Sequence, residues 1–267
     1  MKRLWVVALL SVALLFVFTL HAPLRAQQED AAGKQNDQKA RVLLDTMVKA
    51  LGGNAWLNLP GYELIGRTSA FYQGKPTGEI MDFFDYYAPP DKERVEFGKK
   101  RQVAQIFIGN EGWEVTYRGK RALPKDQLAD YLRRRDHSVG VVIRTWLKDP
   151  RTILIYGGQE TVERHLADKI TLLSATNDNV TLELDAETHL PLRKSFEWRD
   201  PVYKDKNTEA EEYDDYHAIS GFPTAFTVTR FHNDDMNNQR FLYNAIYGGA
   251  VPPGMFDPDA AAAKLKK

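Results

Sequence analysis

Apolar positions along the chain change their period twice. Ala40, Leu43, Leu44, Met47, Val48 and Leu51 recur at the spacing of one helical face, with Asp37 placed to cap the start and Gly52-Gly53 to end it. This predicts an amphipathic helix at the beginning of the folded part. From Gly61 onward the pattern becomes short runs rich in β-branched and aromatic residues, and strands are predicted at Tyr62–Gln73, Glu79–Ala88, Glu93–Gly98, Gln102–Gly109 and Trp113–Arg118. The links Gly74-Lys75-Pro76-Thr77-Gly78, Pro89-Pro90-Asp91, Gly98-Lys99-Lys100 and Gly109-Asn110-Glu111-Gly112 are of hairpin length. Consecutive strands should therefore pair antiparallel, as a meander.

Helical spacing returns in the middle of the chain. Pro124 suits a first helical turn, Leu128, Tyr131 and Leu132 follow at helical intervals, and the run closes on Arg133-Arg134-Arg135. Ser138 can cap a second helix whose stripe is Val139, Val142, Ile143, Trp146 and Leu147, stopped by Asp149-Pro150. Two inserted helices are thus expected at about 124–148. Strands resume at Thr152–Tyr156, Asp168–Ser174, Val180–Asp185, Leu192–Arg199, Glu209–His217, Thr224–Phe231 and Arg240–Ile246, with Gly157-Gly158 read as a turn. The total, roughly eleven or twelve strands, is too many for a flat sheet and predicts strong curvature or a barrel. Pro252-Pro253-Gly254-Met255-Phe256 is read as the end of the ordered part, and residues 257–267 as a loose tail.

At the other end, Lys2 and Arg3 precede an almost uninterrupted apolar run from Leu4 to Leu20, followed by Pro23 and the small residue Ala26. The pattern reads as a secretory signal over residues 1–26. The same run left uncleaved would be an N-terminal anchor, although it falls short of the ~20 residues that span a bilayer. Both readings put the domain outside the cytoplasm. Residues 27–38 are polar and read as a flexible linker, so that one domain, 39–256, holds the fold.

Composition narrows the classes. Hydrophobic residues make up 43% and charged residues 27%, enough apolar material for a core, so general disorder is excluded. Lys plus Arg and Asp plus Glu are equal at 36 each, and loss of Lys2, Arg3 and Arg25 with the leader would leave the chain slightly acidic, which argues against nucleic acid as a partner. Cys is absent, which excludes disulfides, thiolate metal sites, Cys nucleophiles and a lipid-modified N-terminal Cys, and export without Cys fits a bacterial periplasm.

The strands carry large apolar groups on both faces. Trp113, Val115 and Tyr117 share one face, as do Val180, Leu182 and Leu184, and Leu192, Phe196 and Trp198 interrupted by Lys194. Each residue alone reads as plain core. As a set they offer more concave area than three short helices can fill, which predicts an apolar cavity. Its expected lining is Phe84, Phe107, Trp113, Val115, Leu182, Phe196 and Trp198 from the sheet, faced by Trp146 from the second inserted helix.

Reactive chemistry is sparse. The six His residues are scattered without metal-ligand spacing, no Gly-x-Ser-x-Gly elbow occurs, and there is no phosphate-binding loop. The acidic stretch Glu209–His217 could supply paired acids for a hydrolase, but strand alternation splits its charges between two faces. It reads instead as a solvated strand edge, in which amide replacement of Glu211 and Asp215 should be tolerated. Arg133-Arg134-Arg135 fits two readings, contact with anionic lipid headgroups or an ordinary helix C-terminus whose dipole favours cations.

Several short motifs carry a resemblance. Ala50-Leu51-Gly52-Gly53, Gly112-Trp113-Glu114-Val115, Leu184-Asp185-x-x-Thr188-x-Leu190-Pro191-Leu192-Arg193, Tyr213-x-Asp215-Tyr216 and Gly221-Phe222-Pro223, in this order between Asp37 and Phe256, resemble the LolA-type outer-membrane lipoprotein-sorting superfamily. The resemblance implies a mainly β, α+β fold: an unclosed β-barrel lidded by an N-terminal helix and two inserted helices, with acyl chains held on the concave face. It further implies no catalysis and no cofactor, a monomer, and as partners lipoprotein acyl chains or lipids together with inner- and outer-membrane lipoprotein-transport proteins. The superfamily's carrier fastens its lid with an arginine, for which Arg67 and Arg144 are the candidates here. An envelope-stress sensor or protein-interaction module on the same half-barrel is the alternative function.

Overall fold

The computed structural model describes residues 21–249 and 251–265; the expected leader core lies outside them. Thirteen strands form a single antiparallel sheet: β1 Tyr62–Tyr72, β2 Lys75–Ala88, β3 Lys92–Phe97, β4 Val103–Ile108, β5 Glu111–Thr116, β6 Gly119–Ala122, β7 Ile153–Val162, β8 His165–Leu173, β9 Asn179–Asp185, β10 Pro191–Arg199, β11 Lys206–Ile219, β12 Phe222–His232 and β13 Asp235–Tyr247. Every strand pairs with its sequence neighbour except at two places. β1 pairs with β13, so the ends of the meander meet at the centre of the sheet, while β6 and β7 are its free edges. The sheet is therefore an unclosed half-barrel.

Turn chemistry sets the hairpins. Tyr72 pairs with Lys75, so Gln73 and Gly74, both at positive φ, form a two-residue turn, and β2 begins four residues earlier than the expected Glu79. Gly157-Gly158 is not a turn: β7 runs through it with a register shift, and Gly158 takes φ +93° as a bulge. The turn comes later, at Glu163-Arg164. β6, four residues with little apolar content, is the strand that periodicity missed.

The helices cover the sheet unequally. α1 (His21–Ala50) extends N-terminally of the expected Asp37 cap and through residues 27–38, which are helical rather than a flexible linker. α2 (Gly53–Leu57) follows directly. The insertion contains α3 (Lys125–Asp136), α4 (Val139–Thr145) and a single 3₁₀ turn (Trp146–Lys148), and it bridges the free edges from β6 to β7. As expected, Ser138 caps α4, accepting from the Val141 amide. Residues 257–267 are not a loose tail in the part described: α5 (Pro258–Leu265) buries Pro258, Ala261 and Ala262.

Two cores result. On the concave side, Ala40, Leu44, Met47 and Leu51 of α1 and Val142 and Ile143 of α4 pack on Leu154, Ile170, Leu172, Val180, Leu182, Leu184 and Phe196. On the convex side, Ala104, Ile106 and Val115 are covered by Phe256 and α5, which is also tied down by Lys120–Asp259 (2.6 Å) and by Arg94 donating to the Met255 carbonyl (2.8 Å). No described helix is long and apolar enough to cross a membrane.

Candidate functional site

The concave core fills only the β7–β10 side. Over β1–β4 and β11–β13 the sheet encloses a cavity of about 590 Å³, roofed by α2, α3 and the start of α4. Phe83, Val95, Phe97 and Phe107 form one wall, with Leu64, Val228 and Leu242 beside them. Tyr62, Tyr87 and Tyr247 cluster at one end, Tyr62 lying 5.1 Å from Tyr87 and 6.4 Å from Tyr247 between ring centroids. In β11, Asp215 at φ +55° interrupts the alternation, so that Tyr213 and Tyr216, three residues apart, both line the cavity. Roof and wall meet where Tyr131 of α3 stacks on Phe107, with centroids 3.4 Å apart.

Of the residues expected to line the site, Phe107 does so. Phe84 is on the other face of β2, under the Arg101 guanidinium at 3.6 Å; its neighbour Phe83 faces the cavity. Trp113 and Val115 belong to the convex core under α5, while Gly112 turns inward, where a Cβ would meet Leu123 at 2.9 Å and Phe107 at 3.1 Å. Leu182, Phe196, Trp198 and Trp146 are concave, but they pack together in the core under α1 and do not line this cavity. Trp146 instead meets the edge of His137, whose ring stacks on Phe196 (centroids 4.1 Å) and bonds Asp178 through Nε2 at 2.9 Å. The expected set is thus divided: Phe107 lines the cavity, Leu182, Phe196, Trp198 and Trp146 come together in the packed half, and Phe84, Trp113 and Val115 lie on the other face.

The cavity also has a charged floor. Glu211 is no solvated edge residue: β11 is an interior strand, and Glu211 accepts from Lys194 (3.0 Å), Arg230 (3.0 Å) and the Tyr213 hydroxyl (2.8 Å). Burial opposes its charge, but Lys194 and Arg230 more than compensate and hold its pKa well below the usual carboxylate range. Burial lowers that of Lys194, which is only 1% exposed. Arg240 donates to Asp85 (3.3 Å) and lies over the Phe83 ring (4.9 Å). Asp85 and Glu93 are pushed up, chiefly by burial; Glu93, raised further by Asp85 and only partly held down by the Tyr131 hydroxyl donating to it at 2.8 Å, reaches about 7. Among the described residues no group of side chains could hold a metal ion.

The basic run diverges. Arg133 lies over Trp198 at 3.4 Å and pairs with Asp130. Arg135 donates to the Gly109 carbonyl and to Asn110, while Arg134 lines the cavity without a hydrogen-bond or ion-pair partner among the described residues. A second arginine fixes the roof. Arg144 of α4 donates from Nε and Nη2 to the Leu57 and Trp56 carbonyls, both at 2.9 Å, at the end of α2 where helical carbonyls lack partners. Gly140 leaves room for it, since a Cβ there would come within 2.5 Å of Arg144 Nη1. Arg67 is far more exposed and pairs with Asp82 at 3.3 Å.

No protein-family model matches the chain, and no curated protein matches it in sequence. Solved structures do match in shape. A DUF1329 family protein from Desulfovibrio piger superposes with a TM-score of 0.58 at 12% identity, over 83% of this chain and 98% of that one. A putative outer membrane lipoprotein-sorting protein domain from Vibrio parahaemolyticus gives 0.56 at 10% identity, covering 85% and 100%. A LolA superfamily protein from Nitrosomonas europaea gives 0.52 at 11% identity, covering 83% and 98%. The chain has a half-barrel fold of the LolA-like class. Within that class it is similar in architecture to lipoprotein-sorting proteins, at identities that speak for the fold alone.

Proposed function

We propose that the protein is an exported, non-enzymatic carrier that holds lipoprotein acyl chains or lipids in the half-barrel cavity and works in outer-membrane lipoprotein sorting. The observation that supports this most is a half-open cavity of about 590 Å³, lined more by apolar and aromatic than by polar groups, beneath a roof that interrupts the meander. That volume is in the range of small-molecule sites, roughly 300 to 1,000 Å³. Shielding a chain needs no reacting group: each buried methylene favours the cavity by about 0.8 kcal/mol, less the ordering of chain and roof.

Such affinity makes release the difficult step, and open and closed roofs must differ in affinity for the cargo to leave. Arg144 is the residue whose detachment separates α4 from α2, so in this reading it takes the fastening role and Arg67 does not. Native mass spectrometry of protein purified from its own cell envelope tests the function. A bound mass that extracts into organic solvent as an acyl compound is the expected result; a bound polypeptide in its place overturns the carrier reading in favour of an interaction module. N-terminal sequencing tests the address. A start at Gln27 is expected, an intact Met1 in the membrane fraction means an anchor, and a cytoplasmic protein overturns the reading.

A further inference from the structure

We propose that the occupant is an anionic amphiphile whose compact acidic headgroup, carboxylate or phosphate, enters the cavity and seats on Arg134 beside Arg230 and Arg240, with its chain along the Phe83, Phe97 and Phe107 wall. This rests on the carrier reading and narrows its ligand class. The inventory of charge at the floor points that way. Arg134, Arg230 and Arg240 line the cavity with Asp85, Glu93 and Glu211, and Lys194, outside the lining, pairs with Glu211, so these cations exceed these carboxylates even with all three ionised. Glu211 is shared by Lys194 and Arg230, and Asp85 is taken by Arg240. Glu93 is occupied by the Tyr131 hydroxyl.

The other charges at the lining are committed elsewhere. Arg135 and Arg144 bind backbone carbonyls, and Asp130 pairs with Arg133. Arg134 is left over. A partly buried guanidinium with carboxylates near it but none in hydrogen-bond contact is left unsatisfied, and its fork of donors matches the two oxygens of an acid headgroup. Asp85 adds a second observation: its side chain is 4% exposed and its Oδ1 has no partner, although it lines the same cavity. A neutral acyl ester would leave Arg134 without a counter-charge.

The test compares acids with neutral molecules of the same chain. Oleic acid is set against oleyl alcohol, and lysophosphatidic acid against monooleoylglycerol, each below its micellar concentration with the full exported chain at pH 8. Each acid should bind at least about tenfold more tightly than its neutral counterpart, the size expected of a charge-assisted hydrogen bond. A preference in only one pair would assign the headgroup as carboxylate or as phosphate. Arg134→Gln should reduce the preference to within about twofold, and Arg134→Lys should retain part of it. Because Arg134 holds no other side chain, a thermal melt of unliganded Arg134→Gln should match or exceed the wild type. Equal binding of acid and neutral compound by the wild-type protein overturns this inference without the variant and leaves the carrier reading standing. A preference that survives Arg134→Gln overturns it too. Binding of neither kind overturns both.

Discussion

The two halves of one concave surface have opposite fates. Over β7–β10, α1 lays Ala40, Leu44 and Met47 onto Leu154, Ile170 and Leu182 and leaves these groups fully or almost fully buried. Over β1–β4 and β11–β13 the covering elements are α2, α3 and the first turn of α4, and α3 buries none of its residues completely. The strands differ, with Asp85, Glu93, Glu211, Arg230 and Arg240 among the aromatics of the cavity side against the aliphatic set under α1, and the cover differs as well. A 30-residue helix brings a continuous stripe, whereas helices of 5, 12 and 7 residues span an opening without filling it. Packing without voids gives stability, and a surface that cannot be packed gives capacity.

Truncations on the two sides should separate these properties. Phe196→Ala, in the dry half, should cost about 3 to 5 kcal/mol in denaturant melts. Phe97→Ala, on the cavity wall, should cost less than about 2 kcal/mol and weaken fatty-acid binding several-fold, because no packed neighbour is lost on its open side. Equal stability losses would erase the distinction between the halves. At their boundary, Glu211→Gln leaves Lys194 and Arg230 without a counter-charge and should cost about 3 kcal/mol, the reverse of a tolerated change at a solvated edge.

Smaller effects sharpen the picture. Trp113→Ala should loosen α5 from the convex face, lowering stability by about 2 kcal/mol, with fatty-acid affinity unchanged within about twofold. Arg144→Ala removes two bonds to α2 and should cost about 1 to 2 kcal/mol; its larger signature should be faster ligand dissociation in stopped-flow displacement. The last effect is pH-dependent. With Glu93 raised from 4.5 to about 7 by burial, the folded state binds more protons than the unfolded chain between these values, so stability falls as pH rises through that window. Glu93→Gln should flatten this slope and raise the melting temperature at pH 8. Part of the slope should remain, because Glu183, raised to about 7 mainly by burial, contributes in the same sense.

How legible this was in the sequence differs by level. The β8–β12 strands and the Ser138 cap followed from alternation and end chemistry, because Val180, Leu182 and Leu184 can be read as one face without knowing their partners. The polarity of each face was not legible. Period two separates Phe83 from Phe84 and Gly112 from Trp113 but does not say which set is concave; the two Phe are alike in size, and at Trp113 size favoured the wrong face. The convex aromatics made sense only once α5 was seen to cover them, and an Ala-rich tail gives little sign of docking. Glu211 was misread because a strand's position in the sheet, edge or interior, depends on strands folded back later in the chain. One signal was present: Lys194 interrupts an otherwise apolar face, and a buried lysine requires an acid opposite it.

The pairing of β1 with β13 also sets an order of assembly. Every other ladder joins strands adjacent in the chain and closes over a short loop or, across the insertion, is absent; the central seam alone joins residues such as Tyr62 and Tyr247. Two meanders can therefore grow locally, but the ladder that unites them waits for the last strand to be synthesised. Arg240, the partner of Asp85, arrives on that same strand. Until it does, β1 presents an unpaired edge and Asp85 lacks Arg240, so the cavity cannot be completed before β13 arrives.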